Sequence, residues 1–235
     1  MYKCVFEDDN ILIVDKERNI SVHPGAGNKD NSLMDLILSS GKYGYLGIIN
    51  RIDKDTSGLV LIAKDGFTHM ALEEKMKAYE IKRKYVGFVY GIFDLCAGKI
   101  ETKIIRSNSD KTTMVASSTI GKDAVTLYKV LNSFFSEISF LEYQLKTGRT
   151  HQIRVHMRHN KTPVIGDHKY SKGLSLILKE TPQDVQNLLK SFRKQMLHSK
   201  YISFEHPVTN HLVEVEAHLP DDMKILLDKL IQVSH

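Results

Sequence analysis

The chain has only two cysteines, Cys4 and Cys96. With so few thiols and no signal peptide, a disulfide framework is excluded, and two reduced thiols in a cytoplasmic protein are expected. Long apolar runs are missing too. None reaches even half of the roughly 20 residues a membrane helix needs, so no transmembrane segment is expected. Eleven histidines are present, but no His-Glu-x-x-His or Cys-x-x-Cys spacing accompanies them. His151, His156 and His159 do not share one tight helical face, so no metal site is expected. A P-loop and a Gly-x-Gly-x-x-Gly turn are both absent, which argues against a nucleotide cofactor. There is no Gly-x-Ser-x-Gly elbow, and neither cysteine has a catalytic-looking context. No internal repeat, low-complexity tract or linker is visible.

What is present is an ordinary globular composition with a mild basic bias. Of 235 residues, 42% are hydrophobic and 26% charged, with net charge +5 and a pI near 9.0. That balance favours polyanionic partners without proving one. Strand signals at Tyr2–Phe6 and Ile11–Val14 flank a Glu7–Asn10 turn. A Gly- and Pro-bearing loop runs from Ser21 to Asn28, and Ser32 is placed to cap a short helix through Leu33, Leu36 and Ile37. Asp65 is placed as the N-cap of a helix carrying Phe67, Met70, Leu72 and Met76. Strands are expected over 81–93, 100–105, 112–116, 124–131 and 138–145, then a helix capped by Thr150. A helix near 183–192, strands near 197–204 and 212–217, and a closing helix from Asp222 complete the pattern. That last helix is read with Ile225, Leu226, Leu230 and Ile231 as its apolar stripe. The expectation is one α+β domain, 1–235, with a mixed, largely antiparallel β-sheet flanked by helices.

Two clusters concentrate chemistry. The first is Asn50-Arg51-Ile52-Asp53-Lys54-Asp55-Thr56-Ser57-Gly58-Leu59, a charged turn between two apolar strand-like runs, where catalytic groups are often held. A solvated hairpin tip is the plain alternative. The second is Lys146 to Arg158, in which Arg149 and His151 flank a helix start that attracts anions. Arg154 and Arg158 then lie one turn apart. It reads either as an anion cradle with one arginine paired to an acid, or as an amphipathic helix with solvated arginines. Asp55-Thr56-Ser57-Gly58 superficially resembles the Asp-Thr-Gly turn of aspartic proteases, but the extra serine spoils the motif. That chemistry also needs a second carboxylate. A non-catalytic RNA-binding module explains the arginines but leaves Asp53 without a role.

Taken together, these segments resemble the RluA-type pseudouridine synthases. Arg51-Ile52-Asp53 with Thr56-Ser57-Gly58-Leu59 is similar to the family's His-Arg-Leu-Asp-x-x-Thr-Ser-Gly-Leu motif, with Asn50 in place of the histidine and Ile52 in place of the leucine. Lys84-Tyr85 with Val89 and Gly91 resembles the second motif. Gly148-Arg149-Thr150-His151-Gln152-Ile153-Arg154-Val155-His156 matches the third almost letter for letter. Asp9–Lys16, Val22-His23-Pro24-Gly25 and Pro163-Val164-Ile165-Gly166-Asp167 with Tyr170 extend the likeness over about residues 5 to 220.

The resemblance implies a pseudouridine synthase fold with a central RNA-binding cleft, and isomerisation of uridine to pseudouridine in RNA without cofactor or metal. It implies Asp53 as the essential carboxylate, Tyr85 stacking on the uracil, and Arg154 as the basic partner of Asp53. Arg51 is expected either in the space left by a flipped uridine or on a neighbouring phosphate. Thr56 and Ser57 are expected to brace the turn, Arg149 and Arg158 to contact RNA, and His151 either to order Asp53 or to contact the RNA backbone. The expected partner is ribosomal or transfer RNA, with large-subunit ribosomal RNA favoured. A monomer without an N-terminal S4 domain is expected.

Overall fold

The computed structural model describes residues 2–24, 32–174 and 178–234. The glycine-bearing part of the 21–28 loop, Gly25-Ala26-Gly27-Asn28, lies outside the described residues. In chain order the elements are β1 (Tyr2–Glu7), β2 (Ile11–Lys16), α1 (Leu33–Leu38), β3 (Gly47–Ile48), β4 (Ser57–Ala63), α2 (Gly66–Lys77), β5 (Lys82–Tyr90) and β6 (Ala97–Arg106). They continue with β7 (Met114–Ser117), β8 (Lys122–Phe134), β9 (Ile138–Leu145), α3 (Gln152–His159), α4 (Gln183–Ser191), β10 (Leu197–Glu205), β11 (Leu212–Glu216) and α5 (Asp221–Val233). The chain divides into two compact units, one of residues 1–84 with 198–218, the other of 85–197 with 219–235.

In the first unit the strand order is β1-β2-β4-β10, with β3 also on β4 and β11 on β10. β2 and β4 run antiparallel, pairing Ile11 with Ala63 through Lys16 with Gly58. All seven residues of β4 are buried, as expected of a short apolar run bounded by turns. Ile11, Ile13, Leu59, Leu61, Leu72, Ile202 and Phe204 form this unit's core. The helix caps are the ones read from sequence. Asp35 N–H donates to Ser32 Oγ at 3.2 Å and Ser32 N–H to Asp35 Oδ2 at 2.9 Å, a capping box. Thr68 N–H donates to Asp65 Oδ1 at 2.8 Å. On α2, Leu72 is buried, but Phe67 and Met70 face solvent.

In the second unit the order is β5-β9-β8-β6-β7. β6 to β9 pair antiparallel, but β7 lies outside β6, so β8 returns to pair with β6 and not with β7. β6 and β8 are longer than their apolar signals, because alternating polar residues continue the pairing from Ala97–Lys129 to Ile104–Lys122. Phe88, Phe140, Ile165, Val185, Met223, Leu226 and Leu230 form one core cluster. The stripe read on α5 is corrected. Met223, Leu226 and Leu230 are buried at 0% exposure, whereas Ile225 is 58% and Ile231 41% exposed. Met223 belongs to the same i, i+3, i+7 row as Leu226 and Leu230, which turns Ile225 away. Thr150 does not cap α3. His151 occupies that place in the left-handed conformation (φ 56°) with no side-chain cap bond.

Candidate active site

The Asp53 turn is built into the first unit by β3 and β4. β3 pairs with β4 only as far as Ile48–Ile62, followed by an Ile49 N–H bond to Leu61 O at 2.9 Å. There the Asn50 side chain takes over the ladder. Leu61 N–H donates to Asn50 Oδ1 at 2.7 Å, and Asn50 Nδ2 donates to Leu59 O at 3.2 Å. One amide thus replaces a residue of strand, satisfying buried backbone groups that a continuing β3 would have met. Thr56 N–H then closes the turn on Asp53 O at 3.1 Å. Ile52 and Thr56 are buried beneath it, Asp53 is half-buried, and Arg51 is exposed.

The far end of the turn is held by β10. His198 pairs with Ser57 and Ser199 with Gly58 in parallel register. Ser57 Oγ lies 2.9 Å from His198 Nδ1, both buried. Gly58 has φ +109°, and a Cβ there would sit 2.3 Å from Ser199 O, so only glycine fits.

Beneath the turn lies Lys16, fully buried at 0% exposure. Its Nζ donates to Glu17 O at 2.9 Å and to Lys54 O at 3.1 Å, tying β2 to the turn. Burial lowers its amine to about 7, against the upward pull of the Asp55 and Asp53 carboxylates. Nothing in the local pattern singles this residue out, because a lysine ending an apolar strand normally reaches solvent. His23 is lowered from its ordinary value by burial first and by the Arg51 charge second.

The second unit holds the other predicted residues. Tyr85 is buried, 5% exposed, on β5. Arg154, 7% exposed, is not a solvated helix arginine. Its Nε donates to Asp167 Oδ2 at 2.6 Å and its Nη2 to Asp167 Oδ1 at 3.0 Å, a bidentate pair. The Tyr170 ring stacks against the guanidinium, 4.8 Å from centroid to Cζ, and Tyr170 N–H donates to Asp167 Oδ1 at 3.2 Å. The left-handed backbone of His151 carries its ring to Tyr170, with Nδ1 2.8 Å from the hydroxyl. Asp167 thus orients the arginine, and its signal in the sequence was the Gly166-Asp167 pair before Tyr170.

Arg149 and Arg158 are partly committed to the protein. Arg149 Nε donates to Asp123 O at 2.8 Å, and Arg158 Nη1 to Lys172 O at 2.8 Å. Gln152, to which sequence reasoning gave no role, ties the motif together. Its Oε1 accepts from Thr147 Oγ1 at 2.7 Å and Arg149 N–H at 3.0 Å, and its Nε2 donates to Val125 O at 3.1 Å and Thr126 Oγ1 at 3.0 Å. His156, at 0% exposure, bridges Thr126 Oγ1 at 2.9 Å and Thr102 Oγ1 at 3.1 Å. Burial lowers its imidazole to about 4, so it stays neutral at pH 7 and serves packing. Among the described residues no helix is long and apolar enough to cross a membrane.

A family model described as RNA pseudouridylate synthase matches residues 10–159. A ribosomal large subunit pseudouridine synthase D from Buchnera aphidicola subsp. Baizongia pistaciae is 39% identical over 95% of this chain and 70% of its own length. The protein of that name from Vibrio cholerae is 38% identical over 93% of this chain and 68% of its own. Among solved structures, human RNA pseudouridylate synthase domain containing 4 superposes with a TM-score of 0.77 at 24% identity, covering 97% of this chain and 92% of that one. That likeness establishes the mixed, mostly antiparallel sheet with helices as this fold.

Proposed function

Because the chain belongs to the RNA pseudouridylate synthase family and isomerises uridine to pseudouridine in RNA, we propose that its substrate is large-subunit ribosomal RNA. The supporting observation is the 38–39% identity, over 93–95% of this chain, to two relatives named for that substrate. The reaction breaks the N1–C1′ bond, turns the uracil, and joins C5 to C1′. The C5 proton leaves and N1 gains one, so the net change is an isomerisation.

In our reading Asp53 is the essential carboxylate, and Tyr85 and Arg154 are the other catalytic residues. An ionised Asp53 is required whether it attacks carbon or removes a proton. The Asn50 amide and the Lys16 amine hold the backbone on either side of it. The flat ring of Tyr85 suits it to face a uracil. Arg51, exposed beside Asp53, is assigned to the space vacated by the flipped uridine, since its planar guanidinium both stacks and donates. Thr56, Arg149, His151 and Arg158 are assigned to RNA contact and to holding the site. We further propose that the enzyme works as a monomer in the cytoplasm.

The test uses unmodified large-subunit ribosomal RNA and transfer RNA, each transcribed with uridine tritiated at C5. Release of tritium from ribosomal RNA alone, with pseudouridine then mapped to one or a few positions, supports the assignment. Release from transfer RNA alone overturns it.

A further inference from the structure

Apart from the residues assigned above to catalysis, the second unit carries a cleft of about 470 Å³. Its floor is Met114, Ala116, Val155 and Tyr170, which belong to one small apolar cluster where β7 meets α3. Val155 and Tyr170 are buried there at 2% and 4% exposure. The Tyr170 hydroxyl is anchored by Met114 N–H at 3.0 Å, which fixes β7 against the ring. The volume is within the range of small-ligand sites.

The rim is cationic. Arg158, Lys169 and Lys172 line it, with His159 beside them. Asp110 is the acid among the lining residues, and its charge is taken up within its own loop. It accepts from Thr112 N–H at 2.8 Å, Thr112 Oγ1 at 2.7 Å and Thr113 Oγ1 at 2.5 Å, which hold its carboxyl well below the ordinary range. Lys169 Nζ, 4.0 Å from Asp110, donates to Thr112 O and Oγ1 at 3.1 and 2.6 Å. It clamps the β6–β7 loop over one side of the cleft. Among the described residues, Arg158 and Lys172 are paired with no carboxylate, and Arg158 holds the 172 backbone instead. A positive rim over an apolar, partly aromatic floor suits one chemistry well. A nucleobase is a flat apolar plate whose ribose is bracketed by phosphates, and proteins that read unpaired RNA combine a stacking surface with cations in this way.

We propose that this cleft holds an unpaired nucleotide of the substrate RNA other than the uridine that reacts, its base against the partly buried Met114 and Ala116 that pack on Tyr170 and Val155, and its phosphates at Arg158 and Lys172. The proposal rests on the enzyme acting on structured ribosomal RNA, where loops present unpaired bases. The cleft then acts as a second anchor that selects RNA by the shape around the target.

The experiment crosslinks wild-type enzyme by ultraviolet light to large-subunit ribosomal RNA transcribed with 4-thiouridine, and maps the linked peptides. Crosslinks within residues 107–116 or 155–172 are expected. Ala116→Trp fills the cleft and should raise KM by roughly tenfold, the loss of one stacked base, with kcat retained. Lys172→Ala removes an exposed charge without touching the floor, and should lower the salt slope of RNA binding by roughly one. Thermal melts establish that both variants are folded. Should Ala116→Trp fail to fold, the lysine variant and the crosslinks decide. The cleft is overturned if wild-type enzyme forms pseudouridine while crosslinks map elsewhere and the folded variants keep wild-type KM and salt slope. Absence of pseudouridine from the ribosomal transcript refutes the ribosomal substrate instead, and the crosslinks and both variants are then read on the RNA that the enzyme does modify.

Discussion

Arg154 and Asp167 form a buried bidentate ion pair, with nitrogen–oxygen distances of 2.6 and 3.0 Å and side-chain exposures of 9% and 1%. Removing one member of such a pair leaves a charge in a poor solvent, which costs about 3–5 kcal/mol. Asp167→Asn retains one acceptor, so a loss near the lower end is expected in urea unfolding. Turnover should fall by roughly a hundredfold at a temperature where the variant is folded, because the guanidinium loses the partner that orients it. A variant as active and as stable as wild type would show that Asp167 does not position Arg154.

Asp53→Asn should reduce tritium release by at least ~100-fold while RNA affinity is retained. The side chains are nearly the same size, and the turn is closed by backbone, from Thr56 N–H to Asp53 O at 3.1 Å. The substitution therefore removes charge and leaves shape. Filter binding alongside the turnover assay separates the two readouts. Undiminished turnover would remove Asp53 from the chemistry.

Much of this arrangement is legible in the sequence, and the reasons are local. The Ser32 and Asp65 caps are short-range hydrogen bonds, and the strand runs around the 50–59 turn are periodic signals. Both survive folding because they are made within a few residues, and the distant Asn10 Nδ2, which donates to Asp65 Oδ2 at 3.1 Å, leaves Asp65 Oδ1 to the cap. The residues that escape are those whose role depends on a partner far along the chain. Lys16 is buried because it reaches the carbonyl of Lys54, and Ser57 is fixed by His198. Thr150 is an apt cap by composition. The Gln152 side chain instead accepts from Arg149 N–H, and the helix begins after His151. On α5, periodicity alone does not say which of two overlapping apolar rows faces the core, and Met223 decides it.

Asn50 marks where this chain departs from its family's histidine, and the structure gives the asparagine a defined task. Asn50→Ala leaves Leu61 N–H, buried in β4, without its 2.7 Å partner. Leu59 O keeps the Ser199 hydroxyl at 3.1 Å, so it is not orphaned. The cost is then one unsatisfied donor, about 1–3 kcal/mol in urea unfolding. Turnover should fall as well, because the chain entering the Asp53 turn is released. Unchanged stability would show that the ladder does not need the amide.

Arg158→Ala should weaken RNA binding and lower the salt slope by roughly one if the guanidinium meets one phosphate. Its Nη1 also holds Lys172 O at 2.8 Å, so the variant loosens the 170–172 segment in addition. The salt titration isolates the charge effect, since a lost backbone bond changes affinity without changing counterion release. A slope identical to wild type would place Arg158 off the RNA interface.

Lys16 gives a pH signature with a defined sign. Its amine is lowered from 10.5 to about 7 in the folded chain, chiefly by burial, with Asp55 and Asp53 opposing. Between those values the unfolded chain binds a proton that the folded chain does not, so stability rises with pH across that window. Below about 7 both states are protonated and the full penalty of the buried charge is present. Lys16→Met keeps the length and removes the titration. Wild type should therefore gain on the variant by up to about 1.4 kcal/mol per pH unit between pH 7.5 and 9.5. Urea unfolding of both proteins across that range measures it, and the contributions of all other titrating groups cancel in the difference. The two carbonyls that Lys16 caps, at Glu17 and Lys54, lose their donor in the variant at every pH. That loss shifts the difference by a constant and leaves its slope untouched. A difference independent of pH would mean that the Lys16 amine titrates near its ordinary value, and that the floor of the Asp53 turn is wetter than its burial indicates.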